Sequence, residues 1–227
     1  MSAGHDGRRH AILAIDTATT RVVIATGSPD GDADGISTWP AGYRHGETLL
    51  PSIGRFLGEQ NIRRSRLTGI VVGTGPGAFT GLRVGIATAK GMAHGLGIPL
   101  VGVSTGEALL AASGVSRPVL LLPAGPNDRL LVRAGQRPVP LPAGQEPTIE
   151  DGETLVALDL EERAPSDAIE RGEDARQRLG YELIRLGAER LRADAPPELE
   201  TLVPDYVTLP RGVRAADGTV EWSRDHR

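Results

Sequence analysis

Residues 71–97 read VVGTGPGAFTGLRVGIATAKGMAHGLG, and the fold turns on this stretch. An apolar run, Ile70 to Val72, gives way to three glycines and a proline between Gly73 and Gly77, and small residues then continue at helical spacing. The pattern is strand, tight turn, helix, with a turn where side chains would not fit. Such a turn either cradles a ligand or permits close packing. It is not a P-loop, because no Gly-x4-Gly-Lys-[Ser/Thr] register exists. Gly73-Thr-Gly75-Pro-Gly77-Ala78 matches the loose dinucleotide pattern, but the next acid, Glu107, is too distant to bind a ribose, and Pro76 has no N–H to offer a phosphate. Gly81, Gly85, Thr88 and Ala89 share one face of the helix. Glycine costs about 1 kcal/mol against alanine inside a helix, so that flat face implies an offsetting close contact, either within the chain or with another chain.

Outward from this stretch the order of elements is legible. HAILAID (His10–Asp16) is a nearly all-apolar first strand, Arg21–Gly27 a second, and Gly35–Trp39 a third, the three forming an antiparallel meander. Gly46–Gln60 reads as a helix with Leu49, Leu50, Ile53, Phe56 and Leu57 on one face. Thr68–Gly73 is a strand, Thr80–Leu96 a helix and Pro99–Val103 a strand. Ser104 and Glu107 form a capping box that opens a helix over Thr105–Ala112. The order βββαβαβα predicts a mixed sheet covered by helices. Residues 1–9 are polar and read as disordered. Beyond residue 113 the pattern weakens: strands at Arg117–Leu122, Arg129–Ala134 and Thr154–Leu160, a loop over 135–152, a charged helix over Glu173–Arg192 and an irregular tail. The expected division is 1–9, a first subdomain over 10–113, and a smaller second one over 114–227.

Composition narrows the function. The 227 residues contain no cysteine, which removes disulfides, thiolate metal sites and cysteine nucleophiles. No run approaches the length of a membrane span and no signal-peptide pattern opens the chain, so a cytoplasmic protein is expected. The net charge of −4 gives no broad attraction to nucleic acid, and aromatic residues, 3%, do not interleave with the small basic cluster Arg63, Arg64 and Arg66. Residues 1–113 carry about +2 and the remainder about −6.

Asp16-Thr-Ala-Thr-Thr20, after the first strand, is similar to the phosphate-1 loop of the actin, Hsp70 and sugar-kinase superfamily, with Ala18 where glycine stands there. A Cβ at that place hinders backbone approach to phosphate. Asp16 and Thr17 are therefore weak candidates for nucleotide binding, against the plainer reading that they satisfy turn hydrogen bonds. His45 and His94 have no partner at metal-ligand spacing, and no Gly-x-Ser-x-Gly elbow exists. No catalytic residue, metal site or cofactor is assigned.

The set ILAIDTATT, RHGETLLPSIGRFL, GTGPGAFTGLRVGIATAKG and IPLVGVSTGEAL resembles the TsaB (YeaZ) family in order and spacing over residues 11 to about 113. The resemblance implies an α/β, actin-like (ASKHA, ribonuclease H-like) fold of two related subdomains and no independent catalysis. It implies a subunit that binds TsaD, with TsaE in the larger assembly, in forming threonylcarbamoyladenosine at position 37 of tRNAs reading ANN codons. tRNA is met only indirectly, and a homodimer is the alternative pairing. Carried over, Leu49, Leu50, Ile53, Leu82, Gly85, Ile86 and Ala89 would form the pairing surface. After residue 122 the chain departs from the family: Pro123–Arg129 stands where members carry Asp-Ala-Arg, and Thr208 replaces an arginine. An ATPase or small-molecule kinase, a protease, and a homodimeric scaffold with another client are the competing functions.

Overall fold

The computed structural model describes residues 10–41, 45–193 and 199–205. The apolar run after His10 forms β1 (Ala11–Asp16), buried along its whole length as a central strand must be. β2 (Arg21–Gly27) and β3 (Ala33–Pro40) fold back in antiparallel register, with Ile15 opposite Ile24 and Ala25 opposite Ile36. α1 (His45–Glu59) leads to β4 (Leu67–Gly73), which pairs parallel to β1, and α2 (Phe79–Leu96) leads to β5 (Leu100–Val103), parallel to β4. The sheet order is β3-β2-β1-β4-β5. α3 (Thr105–Ala112) starts at Ser104, whose hydroxyl accepts the Glu107 N–H at 3.3 Å as the capping box predicts.

The second half repeats this plan in shorter form. β6 (Pro118–Pro123) and β7 (Arg129–Arg133) form a hairpin, β8 (Val139–Leu141) adds to β7, and β9 (Thr154–Ala157) runs parallel to β6. The order β8-β7-β6-β9 is that of the first four strands of the first sheet. The mixed α/β, actin-like class is thus the observed one. The strand expected over Thr154–Leu160 ends at Ala157, and two larger details also differ from expectation. The loop expected over 135–152 contains β8, three residues with Pro140 at their centre, a composition that gives no strand signal. The last helix, α4 (Ser166–Arg192), begins seven residues before Glu173. Gly172 looks like a boundary, but a Cβ there would collide with the Ala157 carbonyl, so the glycine lets the helix pass the end of β9.

α3 and α4 form one layer between the two sheets. Ile12, Val23 and Val71 from the first sheet, Leu120, Leu130 and Val156 from the second, and Leu109, Leu179 and Leu183 from the helices share a single core. The opposite face of the first sheet is covered by α1 and α2, through Leu49, Ile53, Phe56, Ile86 and Ala89. No described helix is long and apolar enough to cross a membrane.

Candidate functional site

Two turns meet at the carboxyl ends of β1 and β4. Thr17 and Ala18 follow β1, and the glycine-rich turn follows β4. A Cβ on Gly77 would strike the Ala18 carbonyl, one on Gly81 the Thr17 carbonyl, and one on Gly85 the Thr17 hydroxyl. The Ala78 N–H donates to the Ala18 carbonyl at 2.7 Å, and the Thr17 hydroxyl donates to the Gly81 carbonyl at 2.7 Å. The close contact implied by Gly81 and Gly85 therefore lies inside the chain: the first turn of α2 seats on the β1–β2 turn.

Asp16 is fully buried beneath this contact. Its carboxylate accepts the Thr105 hydroxyl at 2.6 Å and the Ala18 N–H at 2.9 Å. Burial raises its carboxyl above the ordinary range, against these two hydrogen bonds, which lower it. Thr17 is also buried, at 1% exposure. The backbone of Gly77 to Gly81 packs directly against the Thr17 and Ala18 carbonyls. Among the described residues no group of three or more His, Asp or Glu side chains converges at metal-binding distance. His94 lies in the last turn of α2, and the His45 side chain is outside the described residues.

A second polar cluster, in which Asp159 and Arg176 are buried, joins the halves. Asp159, just after β9, accepts the Thr20 N–H at 2.9 Å and the Thr20 hydroxyl at 2.5 Å. Arg176 of α4 pairs with Asp159 at 2.5 Å and donates to the Thr20 hydroxyl at 3.1 Å. The sequence offered no sign of this cluster, because its members lie 139 and 156 residues apart. Away from this cluster, a cleft of about 840 Å³ opens beside the glycine-rich turn, lined by Pro76, Ser104 and Glu107 on one side and by Val132, Arg137 and Pro140 on the other.

The seven residues expected at a pairing surface divide sharply. Leu49, Ile53, Leu82, Gly85, Ile86 and Ala89 are all buried, and only Leu50, 54% exposed, faces outward. This corrects the phase of the surface: the apolar stripe that the sequence reading turned outward is the one the sheet takes. The outward strips instead carry Leu50, Pro51 and Gly58 on α1, with Gly54 half-buried beside them, and Thr80, Ala87, Gly91 and Gly95 on α2, with Val84 half-buried against the core. Added Cβ atoms on Gly58, Gly91 and Gly95 would meet nothing within 4 Å. These glycines weaken their helices with no compensating contact among the described residues. Their i, i+4 spacing, Gly54 to Gly58 and Gly91 to Gly95, was the available signal.

Comparison with known proteins places this arrangement. TsaB of Escherichia coli, a tRNA threonylcarbamoyladenosine biosynthesis protein, is 37% identical over 95 residues, which are 41% of this chain and 40% of that protein. Over that stretch the chain is similar to TsaB proteins. TsaB of Bacillus subtilis is 35% identical over 100 residues, 44% of this chain and 43% of that protein. A tRNA N6-adenosine threonylcarbamoyltransferase of Paracoccus denitrificans is 36% identical over 105 residues, 44% of this chain and 30% of that protein. The family model for TsaD, described as tRNA N6-adenosine threonylcarbamoyltransferase, matches residues 32–139. The chain thus covers less than half of the length of each of these curated relatives. The likeness of fold reaches further. YeaZ from Pseudomonas aeruginosa superposes with a TM-score of 0.65 at 24% identity, over 87% of this chain and 99% of that one. The TsaB-type fold therefore extends into the half whose sequence departs from the family.

Proposed function

We propose that this protein is a cytoplasmic, non-catalytic TsaB-type subunit that docks onto TsaD in the machinery making threonylcarbamoyladenosine in tRNA, with TsaE joining the larger assembly. The observation that carries the reading is the outward strip of α1 and α2. Small residues at i, i+4 on two adjacent helices, with Leu50 standing beside them, suit the close approach of another pair of helices. A second copy of the chain would use the same strip when TsaD is absent. Burial of Asp16 and Thr17 beneath the glycine-rich turn supports a role without nucleotide chemistry at that place.

The test is co-purification with the TsaD of the same organism, comparing wild type with Leu50→Arg and Ala87→Arg. Both positions are exposed, so thermal melting should stay within a degree or two of wild type, as for most surface substitutions. Loss of the complex in both variants is expected. A wild-type protein that retains no TsaD, or variants that retain it fully, would overturn the reading.

A further inference from the structure

After α4 the described chain resumes at Leu199 and ends at Asp205, and in these seven residues it attaches to α2 and its preceding turn at two places. The Asp205 N–H donates to the Thr74 carbonyl at 2.8 Å, and the Thr74 hydroxyl donates to the Asp205 carboxylate at 2.7 Å, closing a ring on the glycine-rich turn. Further along α2, Lys90 donates to the Glu200 carbonyl at 3.4 Å. Between these attachments Leu202, 6% exposed, enters the same core as Ile86, Ala89 and Ala93 of α2 and Leu100 of β5, with Leu199 packed against it. Val203 beside it is 66% exposed. The segment therefore lies beside α2 and not across its outward strip, since Gly91, one residue and about 100° round the helix from Lys90, has nothing within 4 Å of its missing Cβ.

We infer that residues 199–205 form a positioning strap, which holds the glycine-rich turn and α2 in the geometry that the docking partner meets. The inference rests on the docking reading above. A strip of small residues binds only where two helices come close, and close approach tolerates little displacement of the helix that carries it. The strap leaves the Gly91 position of that strip open, so its effect on docking passes through α2. Seven residues without helix or sheet ladder, held by two leucines and three side-chain or backbone attachments, belong among the less stable parts of a fold. Loosening them should therefore free α2 without unfolding the protein.

The experiment pairs amide hydrogen exchange on the free protein with TsaD affinity, for wild type, Thr74→Val, Thr74→Ser and Leu202→Ala. Thr74→Val removes the hydroxyl that binds Asp205, and Thr74→Ser restores it. Expected is exchange about tenfold faster over residues 74–93 in Thr74→Val and Leu202→Ala, with TsaD affinity falling by a similar factor and both returning to wild type in Thr74→Ser. Unchanged exchange would overturn the strap, because it would then hold nothing. Faster exchange with unchanged affinity would overturn its positioning role and leave it a packing element. A wild type that fails to bind TsaD overturns the docking reading itself, and with it the role of the strap in docking.

Discussion

Substituting alanine for glycine at two positions of α2, six residues apart, should have opposite effects. At Gly91 the new methyl enters open space, and the helix gains about 1 kcal/mol from the propensity difference. At Gly85 the same gain is overtaken. The methyl would overlap the Thr17 hydroxyl, which is not the end of a flexible chain but a buried β-branched group already bonded to the Gly81 carbonyl. Overpacking costs about 1–3 kcal/mol, and losing the Thr17 bond about 1 kcal/mol more. The two variants should therefore differ by about 2–4 kcal/mol. For a domain of this size that is a separation of roughly 4–16 °C in melting midpoint, with Gly91→Ala above wild type and Gly85→Ala below it. Differential scanning calorimetry of the free chain measures both. In TsaD binding the order should differ, because Gly91→Ala thickens the outward strip and should weaken docking despite its higher melting point. A destabilised Gly91→Ala, or a neutral Gly85→Ala, would refute the division of α2 into a face packed within the chain and a face left open for another.

Three further outcomes follow from the buried groups. Arg176→Met leaves the Asp159 carboxylate buried without its cation and should cost about 3–5 kcal/mol in urea unfolding; a loss below about 1 kcal/mol would show the pair to be dispensable. The hydrogen bonds of Arg133, then the Glu150 N–H, hold Glu153 at about 2 against an ordinary 4.5. A depressed acid stabilises above its unfolded value, so wild type should lose this contribution as pH falls from about 4.5 to about 2, while Glu153→Gln should show no such loss in that window. Asp16 is the reverse case: burial raises its carboxyl, so stability declines as pH rises from the ordinary 3.8 through the raised value, and the stability of Asp16→Asn relative to wild type should improve over that rise. A flat difference across pH, read by chemical denaturation, would refute either assignment.

The first half was legible because its signals are local. β2 and α3 have the expected bounds, since an apolar strand edge and a capping box are written in adjacent residues. β8 was hidden because three residues around a proline have too little periodicity to read. The candidate site was legible in its elements but not in its phase. Leu82, Ile86 and Ala89 form one stripe, and Val84, Ala87 and Gly91 another, both built of small or apolar residues. Periodicity alone cannot say which stripe a sheet will take. The Thr20, Asp159 and Arg176 cluster was invisible for a different reason: its members meet only after two sheets have folded and come together.

The layer of α3 and α4 carries a consequence for how the protein is made and lost. The same side chains, Leu179, Leu183 and Ile184, complete the core beneath both sheets. A fragment ending near residue 113 would leave Ile12, Val23 and Val71 open to water along one whole face, and a nascent chain on the ribosome passes through that state before α4 emerges. Each half has a smaller core on its outer face, but neither of those covers the face that α4 buries. The polypeptide should therefore melt in one transition, depend on prompt arrival of its last helix to avoid aggregation, and be cleared as a single unit once α4 is displaced.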